Sequence, residues 1–479
     1  MKSSDPQGEP AFSPVEKALR AFARVKPEEG ATSLILLASI FLILTAYYLI
    51  KPVREGWLSV SDIQGLTKLE VKAYSAFGQT LLLLLFVPIY ARLATILNRR
   101  ALIVRVGCFF MAVLFVFWLL QPGFVTEHVP YAGVIFYLFV GIFSVALVAQ
   151  FWAFASDLYG VERGRRLFPL VAVGASSGAV LGSWIGERLV RLEWLDAFDL
   201  IFISLLPLAV ALWLATRADR RGAYGHPSLM TQNRWHEPAA PSNEGAFGLI
   251  ARHRYLTATA LMMMIFSWVV ASGDNVLFGL VQQMLEEDLT TGTVAAGTPE
   301  FSRLMKNATT AFYSDLYFWI NLIGLFLQAF IVSRLVELGG FRLLVMATPL
   351  ISLAAYVSMA IAPVLGIIKA MKIAENSSNY SIQNTARHML WLPTTKAMLY
   401  QAKPAVDTFF VRFGDGLAAA TVMVGTRFLD LNLLQFVYIN IVLVVVWICL
   451  SAYIGREHRR MRLAQEQRQE TETVAAFTR

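Results

Sequence analysis

Hydrophobic residues in this chain fall in long, nearly unbroken runs separated by short polar breaks, without the two-residue alternation of a half-buried strand. Twelve such runs lie near 33–50, 72–97, 101–120, 131–156, 169–190, 199–216, 255–283, 311–333, 342–361, 364–386, 405–427 and 433–454. Each has about the 20 residues that a helix needs to cross roughly 30 Å of hydrocarbon. The pattern predicts an all-α polytopic membrane protein with twelve transmembrane helices. Three spans, 72–97, 131–156 and 255–283, are long enough to tilt or to extend beyond the bilayer. Composition agrees: 57% of residues are hydrophobic, 15% are charged and the mean hydropathy is +0.56, whereas about a quarter are charged in an ordinary soluble domain. No short apolar core with a small-residue cleavage site precedes the first run, so no removable signal peptide is expected.

Basic residues orient the spans, because cytoplasmic loops are enriched in Lys and Arg. Arg92, Arg99 and Arg100, then Arg163, Arg165 and Arg166, then Arg217, Arg220, Arg221 and Arg234, and finally Arg456, Arg459 and Arg460 all fall on one side. The intervening loops are nearly bare, and 284–310 is led by Glu286, Glu287 and Asp288. Both termini are therefore expected in the cytoplasm of a bacterial inner (plasma) membrane. The formal charge of +8 then follows from topology and requires no nucleic acid. Residues 1–32 form a leader in which Val15, Leu19, Phe22 and Val25 sit at helical spacing opposite Lys17, Arg20 and Arg24, as in a helix lying among headgroups. The polar segment 217–254 reads as a cytosolic linker between six-helix bundles at 33–216 and 255–454, and 455–479 reads as a solvated, partly disordered basic tail. Arg92–Leu102 and Arg334–Leu344 both place Arg-Leu eight residues before a second Arg-x-Leu, each between the second and third spans of its half. Six plus six spans with such an echo point to the major facilitator architecture.

Several segments resemble the bacterial and plastid ATP/ADP translocase (nucleotide transporter) family. FWAFASDLYGVERGRRLFPLVAVGASSGAVLGS (151–183) is similar to the family's region around spans four and five, LTAYYLIKPVREGWL (44–58) to its tyrosine-rich first span, and NYSIQNTARHMLWLP and AKPAVDTFFVRFGD to its tenth and eleventh. The resemblance implies alternating-access transport of nucleotides. It also marks departures: Arg54 and Glu55 keep the charges of the family's Lys-Asp, His388 replaces an acidic residue, Asp415 replaces a lysine, and Phe278 and Gln282 or Gln283 stand where span seven carries an acid and a base.

Ionisable residues inside spans are the candidate chemistry, since a charge in hydrocarbon needs a partner or water. Lys369, Lys372 and Glu375 share one side of the tenth span, Lys372 roughly 13 Å below its outer end. Asn376, Asn379, Tyr380, Gln383 and Asn384 continue that span in a run too polar for lipid. The substrate-binding candidates are Lys51, Arg54, Glu55, Lys369, Lys372, Glu375, Asn379 and Arg412. Asp274, Asp315, Asp407 and Asp415 are candidates for coupling a cation or proton, or for neutralising those bases. Pro52 is expected to interrupt the first span beside Lys51 and Arg54, while Lys72 opens the second, where snorkelling would also account for it. Asp157, Glu162, Arg163, Arg165 and Arg166 alternate in sign and suit a cytosolic gate. Gly174, Gly178, Gly182 and Gly186 form a stripe for close helix packing.

GxxxxGK(S/T), HExxH and Cys/His clusters are absent, and Cys108 and Cys449 lie within apolar runs, so neither catalysis, a cofactor nor a metal is expected. The sequence thus favours a monomeric secondary transporter of an organic anion, a nucleotide or phosphorylated metabolite, with membrane lipid as its surroundings. A proton-coupled porter or lipid flippase for a neutral or amphipathic substrate is one alternative, and a non-transporting scaffold is another.

Overall fold

The computed structural model describes all residues except 1–28, 97–98, 122–130, 194, 226–244, 292–294, 296, 396–397 and 478–479. The amphipathic leader and most of the linker fall outside the described residues. The described chain is helical throughout its apolar runs. We number the spanning helices α1 (Gly30–Ser59), α2 (Lys68–Ile96), α3 (Arg99–Leu119), α4 (Ala132–Ser156), α5 (Arg166–Arg191), α6 (Asp199–Gly225) and α7 (Arg254–Thr291). Helix α8 (Pro299–Phe326) continues through a π turn, Leu327–Ile331, as far as Gly340, whose φ of 60° breaks the helix, and α9 follows up to Ile361. Helix α10 is Leu365–Ser378 extended by a π turn, Asn379–Gln383, and by Asn384–Met389; α11 is the π turn Val406–Phe410 with Val411–Phe428; α12 is Leu433–Phe477.

Nine described segments are long and apolar enough to cross a membrane. One of them, Pro299–Ile361, holds two helices, because the glycine break lets the chain reverse. Helices α10 and α11 complete the twelve and are the most polar.

Packing follows from small residues. At Gly174, Gly178 and Gly182 on α5, an added Cβ would press on the backbone of Leu37, Phe41 and Thr45 of α1. The stripe therefore lets two helix backbones touch. Gly414 of α11 abuts Met264, Ser267 and Trp268 of α7 in the same way, so α1/α5 and α7/α11 are matching crossings. The halves meet along α5 and α1 against α8, and along α2 against α7 and α11. Below, "inner" denotes the end that the basic residues assign to the cytosol.

Two sequence expectations are corrected. Pro52 does not interrupt α1, which runs on to Ser59, because the turn around it is buried against neighbouring helices that hold the backbone helical. The tail is not irregular: α12 continues to Phe477, since 456–477 contains no Gly or Pro and is rich in Arg, Glu, Gln and Ala, all good helix formers.

Candidate functional site

On α1, Tyr47, Lys51, Arg54 and Glu55 recur at helical spacing and share one face. That face borders a central cavity of about 270 Å³ between the halves. Helix α2 adds Lys72 and Gln79, α4 adds Tyr137, α7 adds Asp274 and Asn275, α8 adds Tyr313 and Tyr317, α10 adds Asn376 and Tyr380, and α11 adds Arg412 and Asp415.

The two walls differ in charge. On the N-terminal wall, Glu55 accepts from Arg54 Nη2 at 2.7 Å and from Lys72 Nζ at 2.5 Å. Tyr137 lies under both cations, at 4.4 Å from the Arg54 guanidinium carbon and 4.5 Å from Lys72 Nζ. Lys51 is different. Its ammonium is 3.9 Å from the Tyr317 ring centroid and 5.1 Å from that of Tyr48, it is buried, and among the described residues no carboxylate comes within ion-pair distance of it. Three basic side chains, Lys51, Arg54 and Lys72, thus stand against the one carboxylate of Glu55, and this wall is basic.

Across the cavity, Arg412 pairs with Asp415 at 3.0 Å, and Asp415 also accepts from Ser267 at 2.5 Å. Lys372 donates to Glu375 at 2.6 Å and lies 3.2 Å from Asp274. Three carboxylates therefore face two bases here, leaving a surplus of one negative charge.

Six of the substrate-binding and coupling candidates come together at the cavity, Lys51, Arg54, Glu55, Asp274, Arg412 and Asp415, joined by Lys72, Asn376 and Tyr380. Others do not reach it. Lys372 and Glu375 are 1% and 0% exposed and lie behind Asp274, because the polar face of α10 turns into its own bundle. Asn379 is buried on that same side, whereas Asn376 and Tyr380 border the cavity. Lys369 is ion-paired with Asp315 of α8, and Asp315 borders a separate outer pocket with Glu187, Arg188 and Arg191. Asp407 is held at the inner end by Arg387 at 2.9 Å and Lys403 at 2.5 Å. Arg166 pairs with Glu29 at 2.8 Å and Arg163 approaches it at 3.6 Å, both within the N-terminal half. The side chains of Asp157, Glu162 and Arg165 lie outside the described residues.

Lys72 is no snorkelling residue: it is buried and fixes Glu55. Of the five cavity tyrosines, Tyr380 belongs to the polar run seen in the sequence, while Tyr47, Tyr137, Tyr313 and Tyr317 were missed as site residues, although the tyrosine-rich end of α1 was a signal for Tyr47. The pairs that join the halves were also missed. Among the described ion pairs, Asp196–Lys306 at 2.5 Å and Glu70–Arg427 at 2.7 Å cross between halves. Thr426 also donates to Glu70 at 3.0 Å, and Asn307 accepts from the Ala197 amide at 3.1 Å. All four contacts lie on the outer side of the cavity.

No protein-family profile matches the chain. It is 22% identical over 383 residues to ADP,ATP carrier protein 1 of Chlamydia trachomatis, covering 69% of this chain and 70% of that protein. It is 19% identical over 396 residues to ADP,ATP carrier protein 1 of Chlamydia pneumoniae, covering 69% and 72%. Among solved structures, a POT family transporter, PepTSo, superposes with a TM-score of 0.57 at 11% identity, over 90% of this chain and 98% of that one. A bacterial homologue of the human lysosomal transporter Spinster, inward-facing and unoccupied, gives 0.56 at 15% identity over 91% and 99%. The nucleoside transporter NupG gives 0.52 at 11% identity over 88% and 98%. The chain is thus a multi-pass membrane protein with the fold of major facilitator transporters and a divergent homologue of the ADP,ATP carrier proteins.

Proposed function

We propose that the protein is a secondary transporter that moves an organic anion, a nucleotide or phosphorylated metabolite, by rocking its halves about the central cavity. The observation that carries this reading is Lys51, a buried amine that faces the cavity against the rings of Tyr317 and Tyr48, with no carboxylate within ion-pair distance among the described residues. Ring faces offer about 0.5–2 kcal/mol to a cation, against a desolvation cost of several kcal/mol. A substrate anion would close that gap, with Arg54 and Lys72 adding to the field. The tyrosines supply flat apolar faces on which a base can stack. The substrate's charged end would face α1 and α2, and its neutral end the acidic wall.

The outer contacts between the halves suit an inward-facing state, in which Arg163 and Arg166 await a role at the inner gate. We place the protein in a bacterial inner membrane with both termini cytoplasmic and acting as a monomer; single-cysteine labelling of 226–244 and 284–291 from each side tests the orientation. The substrate class is tested by thermal unfolding of purified protein with ADP, ATP, sugar phosphates, amino acids and lysolipids, since a ligand of the native state raises the melting temperature. Stabilisation by a phosphorylated compound is expected. Stabilisation by an amino acid or lysolipid alone would overturn the proposal.

A further inference from the structure

A second cavity of about 270 Å³ opens on the outer side between α5 and α8, apart from the central one. Trp184, Glu187, Arg188 and Arg191 follow at steps of three, one and three residues and share one face of α5, and Asp315 and Trp319 share one face of α8. Beside it the helices approach closely, since a Cβ on Gly186 would stand 3.3 Å from Ser314 Oγ. Helix α5 belongs to the N-terminal half and α8 to the C-terminal half, so this cavity sits on the seam that joins them.

Its level and its exposure point to lipid. Arg191 is the last residue of α5 and Trp184 lies seven residues before it, about 10 Å deeper. The indoles of Trp184 and Trp319 are 45% and 42% exposed on the flank of spanning helices. Tryptophan gathers at that depth because its apolar body meets acyl chains and its N–H meets headgroups.

The polar groups are arranged for an anion. Glu187 is buried, with Arg191 Nε at 2.7 Å and Arg188 Nε at 3.5 Å. Both contacts use the Nε edge of the guanidinium, so the Nη ends stay turned to the surroundings, and the two side chains are 57% and 60% exposed. Arg188 also lies 5.9 Å from the Trp184 ring centroid. On the other wall Lys369 pairs with Asp315. Three basic groups thus stand against two carboxylates, and guanidinium N–H pairs match the oxygens of a phosphodiester. Snorkelling accounts for one arginine at the end of a span; it does not account for two that converge on one buried carboxylate and face a tryptophan of the other half.

We propose that this cavity binds the headgroup of an acidic glycerophospholipid from the outer leaflet, with its phosphodiester on Arg188 and Arg191 and its glycerol and first acyl carbons against Trp184 and Trp319. A zwitterionic lipid brings an ammonium that the basic excess disfavours. A soluble phosphate lacks the chains that the indoles face. Since the lipid touches α5 and α8 together, it ties the halves on the outer side and favours the state in which that side is closed.

The test needs no transported substrate and is independent of what the central cavity carries. Delipidated protein in neutral detergent is examined by native mass spectrometry with phosphatidylglycerol, with phosphatidylcholine of the same chains, and with glycerol 3-phosphate. Phosphatidylglycerol should be retained about tenfold more than phosphatidylcholine, the value of one charge-assisted hydrogen bond, and glycerol 3-phosphate should not be retained. Arg188→Gln with Arg191→Gln should erase that preference, and adding Glu187→Gln removes the stranded carboxylate should the double variant fail to fold. Arg217→Gln, at the inner end over Trp213, should leave it intact. Equal retention of the two lipids, a preference that survives the α5 substitutions or is lost equally in Arg217→Gln, retention of glycerol 3-phosphate alone, or a dimer that these substitutions dissolve overturns the lipid site. In vesicles, phosphatidylglycerol should slow labelling of a cysteine at Tyr137 from the outer side several-fold relative to phosphatidylcholine, and unchanged labelling overturns the tie between the halves.

Discussion

Replacing Lys51 with Met separates a binding cation from a structural one. In the folded protein its amine has ring faces at 3.9 and 5.1 Å and, among the described residues, no carboxylate partner. Removal forfeits about 0.5–2 kcal/mol of cation–π attraction and relieves a desolvation cost of several kcal/mol. The substrate-free variant should therefore be as stable as the wild type or more so. Binding should suffer, because a hydrogen bond to a charged group contributes about 1.5–3 kcal/mol, or about a 10- to 150-fold change in Kd at 1.4 kcal/mol per decade. At a ligand concentration about 100 times the wild-type Kd, ligand stabilises the native state by about 2.7 kcal/mol. For a variant weakened about 100-fold the same concentration gives only about 0.4 kcal/mol. The assay is thermal unfolding of Lys51→Met with and without the stabilising phosphate compound, followed by uptake into proteoliposomes. Arg54→Met is the contrast: Glu55 keeps Lys72 but loses its 2.7 Å partner, so the empty protein itself should lose about 1–3 kcal/mol. A Lys51→Met protein that binds like the wild type, or that is strongly destabilised when empty, would refute the reasoning.

Arg427→Ala combined with Lys306→Ala removes both ion pairs that join the halves among the described residues. The Arg427 side chain is 45% exposed and contributes at most about 1 kcal/mol, so the expected effect is a several-fold shift toward outward-open protein, read as faster labelling of a cysteine at Tyr137 from the outer side; unchanged labelling would show that the ion pairs do not hold that face closed. Gly178→Ala forces a methyl group onto the Phe41 carbonyl and should cost about 1–3 kcal/mol, seen as a lower melting temperature, whereas Gly366→Ala, with no neighbour near its added Cβ, should be neutral or slightly stabilising. Asp407→Asn leaves Arg387 and Lys403 facing each other at the inner end of α11, and should lower the melting temperature while leaving the phosphate-induced shift intact, because Asp407 does not border the cavity; loss of that shift would place Asp407 in binding.

The twelve spans and the glycine stripe of α5 were legible in the sequence because both are local patterns. Twenty apolar residues commit a segment to the bilayer, and four-residue glycine spacing commits one face of a helix to contact. The sign and density of intramembrane charge were legible too, since the cost of burying a charge applies to each residue wherever its partner lies. Partner choice was not. Lys372 and Glu375 look from the sequence like cavity residues, yet the rotation of α10 turns them into their own bundle and leaves Asn376 and Tyr380 at the cavity. Glu70 finds Arg427, and Asp196 finds Lys306, across hundreds or a hundred residues of chain. The isolation of Lys51 is a property of what six other helices place around the cavity. A sequence fixes which side chains cannot face lipid; only helix rotation and the docking of the two halves decide which of them face each other, because both depend on packing summed over the whole bundle.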